Sequence, residues 1–174
     1  MNKNEFAIIR LALKKRITKE IKEIKKLYQA SIDGDGAINF HSRCDGIPNT
    51  LVLIKSAGNR RFGGFTSVQW ASPSSDKWKD DPNAFLFSLD KHKIYPYNGN
   101  GQAIYNSKDQ CPHFGNGTDI CIYQHSLQEK KAWTNESTST TSYDYFGDKN
   151  ALSESNGSKI YLAEYEVFQV IFNQ

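Results

Sequence analysis

Two short stretches carry the residue types that could bind a metal or attack a substrate. "NFHSRCD", residues 39–45, sets His41 and Cys44 one helical turn apart, and "QCPH", residues 110–113, sets Cys111 beside His113. Two imidazoles and two thiols make a zinc-type donor set if the fold brings the pairs together. The same residues offer cysteine–histidine nucleophile chemistry, with Asp45 available to orient the imidazole. The spacings match no zinc module and no protease signature, so packing is the reading preferred for His41 and Cys44. No metal, other cofactor or catalytic residue is assigned. Cys111, in a segment read as a loop, is the candidate for a redox-active thiol.

Three further features ask for a role. In "YEVFQVIF" alternation puts Glu166 on one strand face with Phe168, Val170 and Phe172, where a carboxylate must be paired or functional. Pairing is preferred, to backbone or to Arg43, Arg60 or Arg61. Trp70 and Trp78 flank a polar loop, and either could contact a partner or fold back onto the protein. The glycines of "NGNG" and "FGNG" do not link a strand to a helix as a phosphate-binding loop requires, and read as turns.

The elements that must position these residues follow from hydrophobic spacing. Phe6, Ile9, Leu13, Ile17, Ile21, Ile24 and Tyr28 recur every three or four residues, which predicts one basic amphipathic helix over residues 1–28. Its opposite face suits water, a coiled-coil partner or an anionic membrane. In "GAINFHSRC", Ala37, Phe40, His41 and Cys44 share one face of a second, short helix.

After Pro48 the chain becomes a series of short aromatic and β-branched runs: "TLVLIKS", "RRFGGFTSVQW", "NAFLFSLD", "HKIYPYN", "QAIYNS", "TDICIYQH" and "KIYLAEYEVFQVIF". No helical segments separate them, so the fold class is mainly β (α+β), with antiparallel sheets. "SPSSDKWKDDPN" and the Ser/Thr-rich residues 135–158 read as polar loops, the second partly mobile. Within "RRFGGFTSVQW", simple alternation puts Phe62 and Phe65 on opposite faces, whereas a bulge at Gly63 and Gly64 puts them on the same face.

Composition sets limits. A chain of 174 residues, 38% hydrophobic and 13% aromatic, suffices for one domain with a real core. Residues 1–26 hold nine Lys or Arg against Glu5, Glu20 and Glu23, leaving thirteen basic and sixteen acidic groups for the rest. This is a mildly acidic domain with a basic handle, and it carries no nucleic-acid-binding pattern. No apolar run approaches the ~18 residues of a membrane span. The start is a poor signal peptide, and Glu5 with few serines argues against a mitochondrial presequence, so a cytoplasmic location with reduced thiols is expected.

The runs "LYQASIDGDGAINFHSRCDGIPNTLVLIKSAGNRRFGGFTSVQW", "DPNAFLFSLD", "FGNGTDICI" and "YEVFQV" occur in this order between Leu27 and Val170, and together they resemble a TLDc domain. The resemblance is to short members in which the domain follows a helical or coiled-coil segment, here residues 1–28 before a domain at 29–174. It implies a two-sheet antiparallel β-sandwich with a few helices. It also implies kinship with oxidation-resistance proteins and regulators of the vacuolar proton-pumping ATPase. The expected function is therefore a non-catalytic interaction module with a protein partner, for which pump subunits are the candidates. Gly63, Gly64, Trp70, Asp119 and Glu166 match the family pattern, at positions of a type that builds a fold as readily as a site, and Gly63, Gly64, Asp119 and Glu166 are taken as structural. Gly36, Cys111 and Thr118 stand where the family commonly has serine, glycine and histidine. The rival expectations are a thiol-based peroxide scavenger or an unrecognised enzyme, and self-association through residues 1–28.

Overall fold

The computed structural model describes residues 3–135, 141–154 and 158–173. Its helices are α1 (Lys3–Ile17), α2 (Ala30–Asp33) and α3 (Ala37–Cys44). Its strands are β1 (Ile21–Gln29), β2 (Thr50–Ser56), β3 (Arg61–Thr66), β4 (Lys77–Lys79), β5 (Phe85–Ser88), β6 (Lys93–Pro96), β7 (Ile104–Asn106), β8 (Gln110–Phe114), β9 (Ile120–Tyr123), β10 (Ala132–Thr134), β11 (Ser158–Ile160) and β12 (Leu162–Phe172). They make two antiparallel six-stranded sheets, ordered β1-β12-β2-β3-β5-β6 and β11-β10-β9-β8-β7-β4.

The expected single helix over residues 1–28 is instead two elements. α1 ends at Ile17, where Thr18 turns into the left-handed region at φ 59°. Residues 21–29 then run as a strand against β12. Two register shifts in β1, at Ile21/Glu23 and Lys26/Tyr28, break the two-residue period of a strand. The apolar residues Ile21, Ile24 and Leu27 are thereby spaced in threes, which imitates a helix.

The apolar side of α1 does not await a coiled-coil partner. Ile9, Ala12 and Leu13 pack on Leu51, Phe65, Phe85 and Phe87, on the outer face of the first sheet. Burial of each large apolar side chain is worth about 1.5–3 kcal/mol, so α1 is fastened to the sheet. α3 forms as its spacing indicated, with Ala37, Phe40, His41 and Cys44 as its buried residues.

The main core lies between the sheets. Val52, Ile54, Phe62, Leu86 and Val167 from the first meet Ile104, Phe114, Ile120, Ile122 and Ile160 from the second. Phe62 belongs to this inner cluster and Phe65 to the cluster under α1, so plain alternation holds through the two glycines. Neither the β2–β3 nor the β3–β5 pairing contains a register shift.

Three strands lie in segments that read as loops or carried no prediction: β4 inside "SPSSDKWKDDPN", β8 across "QCPHF", and β10. β4 and β10 have three residues each, too few for alternation to show, and β8 carries Pro112 beside a register shift. The run "KIYLAEYEVFQVIF" divides at Tyr161, with β11 in the second sheet and β12 in the first. Residues 136–140 and 155–157 of the Ser/Thr-rich stretch lie outside the described residues. Between them the chain is packed rather than loose, with Tyr143, Tyr145, Ala151 and Leu152 all in the core.

Candidate functional site

Trp70 is closed to a partner. It is 1% exposed, its Nε1–H donates to Thr50 Oγ1 at 2.8 Å, and its ring meets Phe40 and Phe114 edge-on. An indole with its N–H satisfied and its faces packed holds a core together. This corrects the reading of Trp70 as a contact residue.

Trp78 is placed differently. On β4 it stands opposite Tyr105, with ring centroids 4.6 Å apart, and edge-on to His113 at 5.6 Å. The row continues across the sheet: His113 opposite Cys121, Cys121 opposite Trp133, and Trp133 opposite Lys159. Neighbouring strand positions such as Ile104, Phe114, Ile120 and Ile122 face the inner core, so this row faces outward. Trp78, Tyr105 and Trp133 are partly exposed along it. The Lys159 ammonium lies 5.6 Å from the Trp133 ring, a cation–π distance.

Asp45 joins two of the residues with chemical potential. One of its oxygens lies 2.7 Å from His41 Nδ1, and the other accepts from Ser72 Oγ at 2.6 Å. His41 Nε2 lies 2.9 Å from the carbonyl oxygens of both Ser107 and Gln110. Serine, aspartate and histidine therefore share the wall of one depression of about 550 Å³, near Ala37, Ile38 and Lys108. Their order does not suit nucleophilic catalysis. A base must take the serine proton, yet the aspartate stands between serine and histidine, and the far imidazole nitrogen faces carbonyls. The contacts tie α3 to β8 and to the segment after Trp70.

The three thiols are shut in. Cys111 lies in β8, not in a surface loop, and is 2% exposed. Burial pushes its thiol up to about 12 and that of Cys121 likewise to about 12, and it raises Cys44 as well. The thiolate is the reactive form, so all three are chemically quiet at neutral pH. Among the described residues no group of three or more His, Cys, Asp or Glu is placed to hold a metal ion. His113 does not join His41: its ring nitrogens lie 2.8 Å from Gln110 Oε1 and 3.2 Å from Gly115 O.

Gly63, Gly64, Asp119 and Glu166 each hold elements together. A β-carbon on Gly63 would lie 1.9 Å from the Val52 carbonyl oxygen, and one on Gly64 would lie 2.7 Å from the Phe114 ring in the inner core. Asp119 accepts from Ser142 N–H at 3.0 Å and Tyr145 O–H at 2.9 Å, binding the packed stretch after residue 140 to β9. Its burial outweighs those donors and raises the carboxyl to about 7. Glu166 pairs with Lys26 of β1, while Arg43 and Arg61 are engaged by Asp33 and Asp90. A family model described as the TLDc domain matches residues 1–171, nearly the whole chain. The chain belongs to the TLDc family. No curated protein sequence matches it at a significant level.

In this TLDc domain the matched region includes α1, packed on the outer face of the first sheet, and β1, which pairs with β12 as the edge strand of that sheet. Among the described residues no helix is long and apolar enough to cross a membrane. The outward row on the second sheet escapes sequence reading because β8 and β10 do not read as strands. The one available signal is the alternation His113–Phe114 and Cys121–Ile122–Tyr123, which separates outward from inward positions.

Proposed function

We propose that this TLDc domain is a non-catalytic interaction module that binds a protein partner through the outward row of the second sheet. The observation that carries the reading is the row itself: Trp78, Tyr105 and Trp133 are partly exposed and held in register. Pre-ordered aromatic side chains give large contact area at small entropic cost and dominate protein interfaces. By family likeness the partner is the vacuolar proton-pumping ATPase, met at the cytoplasmic side of its membrane, and the cellular role is resistance to oxidative stress. The closed order of Ser72, Asp45 and His41 supports a binding role over an enzymatic one. Burial of all three cysteines disfavours the peroxide-scavenging reading. Affinity purification of the tagged full chain under native conditions tests the proposal: pump subunits are expected in the eluate, and their absence counts against the named partner.

A further inference from the structure

A second surface lies on the other side of the molecule, between α1 and the first sheet. A groove of about 630 Å³ runs there, with Leu11 on one wall and Phe146 on the other. These two are among the five large apolar side chains left exposed in the described residues, Leu11 at 59% and Phe146 at 72%. Ile94 and Pro96 of β6 also line it, with Ala12 of α1. The Phe146 wall is pre-set. Its backbone sits at φ 51°, a conformation that bulky residues rarely adopt, and Asp144 Oδ1 accepts its N–H at 2.9 Å. Two residues on, Asp148 binds Lys91 at 2.6 Å, Lys93 at 2.9 Å and the Tyr95 hydroxyl at 2.8 Å, which anchors this loop to the sheet.

The rim of the groove has one sign of charge. Lys15, Arg16 and His92 line it, and no carboxylate does. The acids of the flanking segments are engaged: Glu20 by Arg10 and Lys14, Asp148 by Lys91 and Lys93, and Asp144 by the Phe146 N–H. Arg16 gives one N–H to the Pro82 carbonyl at 3.2 Å and keeps its charge at the groove. Lys15 forms no ion pair among the described residues. We infer that this groove docks an acidic amphipathic helix of a protein partner, whose apolar side chains enter between Leu11 and Phe146 while its carboxylates meet Lys15 and Arg16. A helix presents apolar anchors at i, i+3, i+4 and i+7 on one ridge, which suits a concave slot. A flat anionic membrane offers the charge but cannot enter between the two walls. Sign complementarity also sets orientation and on-rate more than affinity.

The test uses the full chain and a fluorescent, stapled helical peptide of about 14 residues, with leucines at those four positions and glutamates elsewhere. A lysine-for-glutamate version serves as control. Saturable binding of the acidic peptide is expected, weakened about tenfold by Leu11→Ser and by Phe146→Ser, and weakened by added salt. Both residues are exposed, so each variant should keep its melting temperature within about 2 °C. Trp78→Ala, on the opposite sheet, should bind the peptide as the wild type does, so this inference and the proposed function fail separately. Equal binding of the two peptides, or unchanged binding by both serine variants, overturns the inference. Dimerisation in sedimentation that Leu11→Ser abolishes assigns the groove to a second copy and overturns it too. Loss of phosphatidylserine-vesicle binding in the variants, without any peptide binding, assigns the groove to a membrane and likewise overturns the inference.

Discussion

Asp45 accepts a hydrogen bond from Ser72 at 2.6 Å with one oxygen and faces His41 at 2.7 Å with the other. The three residue types of a hydrolase thus meet in an order that fastens elements instead of activating the serine. A fluorophosphonate probe should leave Ser72 unmodified in the native protein, and a Ser72 adduct by mass spectrometry would contradict this. Asp45→Asn should cost about 1–3 kcal/mol in urea unfolding, because it weakens both contacts, and Ser72→Ala about 1 kcal/mol or less.

Thiol chemistry gives a second check. With Cys44, Cys111 and Cys121 all buried, a thiol reagent in excess should label none of them in the folded chain and all of them in urea. Rapid labelling of native Cys111 would revive the peroxide-scavenging reading.

The paired glycines differ in what a side chain would strike. A methyl at Gly63 meets the backbone oxygen of Val52, which cannot move without breaking the β2–β3 ladder. At Gly64 it meets the Phe114 ring and the end of Leu86, which can shift. Gly63→Ala should therefore lose more than about 3 kcal/mol or fail to fold, and Gly64→Ala about 1–3 kcal/mol. For a chain of this size each kcal/mol appears as roughly 2–4 °C in thermal melting. Equal costs would argue against the close approach at Gly63.

Two buried groups give opposite pH dependences. Burial pushes His113 down to about 4 from its ordinary 6.5. The unfolded chain then takes up the proton first, so the contribution of His113 is full above about 6.5 and is lost as pH falls through about 4. Asp119, raised to about 7 from 3.8, does the reverse: its contribution is full below 3.8 and is lost as pH rises through about 7. Relative to wild type, acidification from about pH 7 to about pH 4.5 should favour His113→Gln and disfavour Asp119→Asn in urea midpoints. Shifts of the same sign in both variants would contradict these assignments.

Much of the fold is legible in the sequence, for reasons particular residues make plain. "TLVLIKS" is β2 from end to end, and the four residues phased together in "GAINFHSRC" are the four that α3 buries. A helix drawn through to Tyr28 fails because bulges in β1 give a strand the spacing of a helix. That error hides Lys26 as the partner of Glu166, for which the sequence points to backbone or an arginine. Cys111 is misplaced because Pro112 makes a central strand look like a loop. Trp70 and Trp78 cannot be told apart by sequence, since what separates them is tertiary: one is covered by Phe40 and Phe114, the other lies on the outer face of a sheet.

Binding of the partner by the outward aromatic row is checked by comparing native co-purification with three tagged chains. These are the wild type, Trp78→Ala combined with Trp133→Ala, and a Leu11→Ser control, each first shown to be folded by its melting curve. Pump subunits are expected with the wild type and the control, and should fall about tenfold or more with the double variant. Undiminished recovery with the double variant would contradict binding through this row.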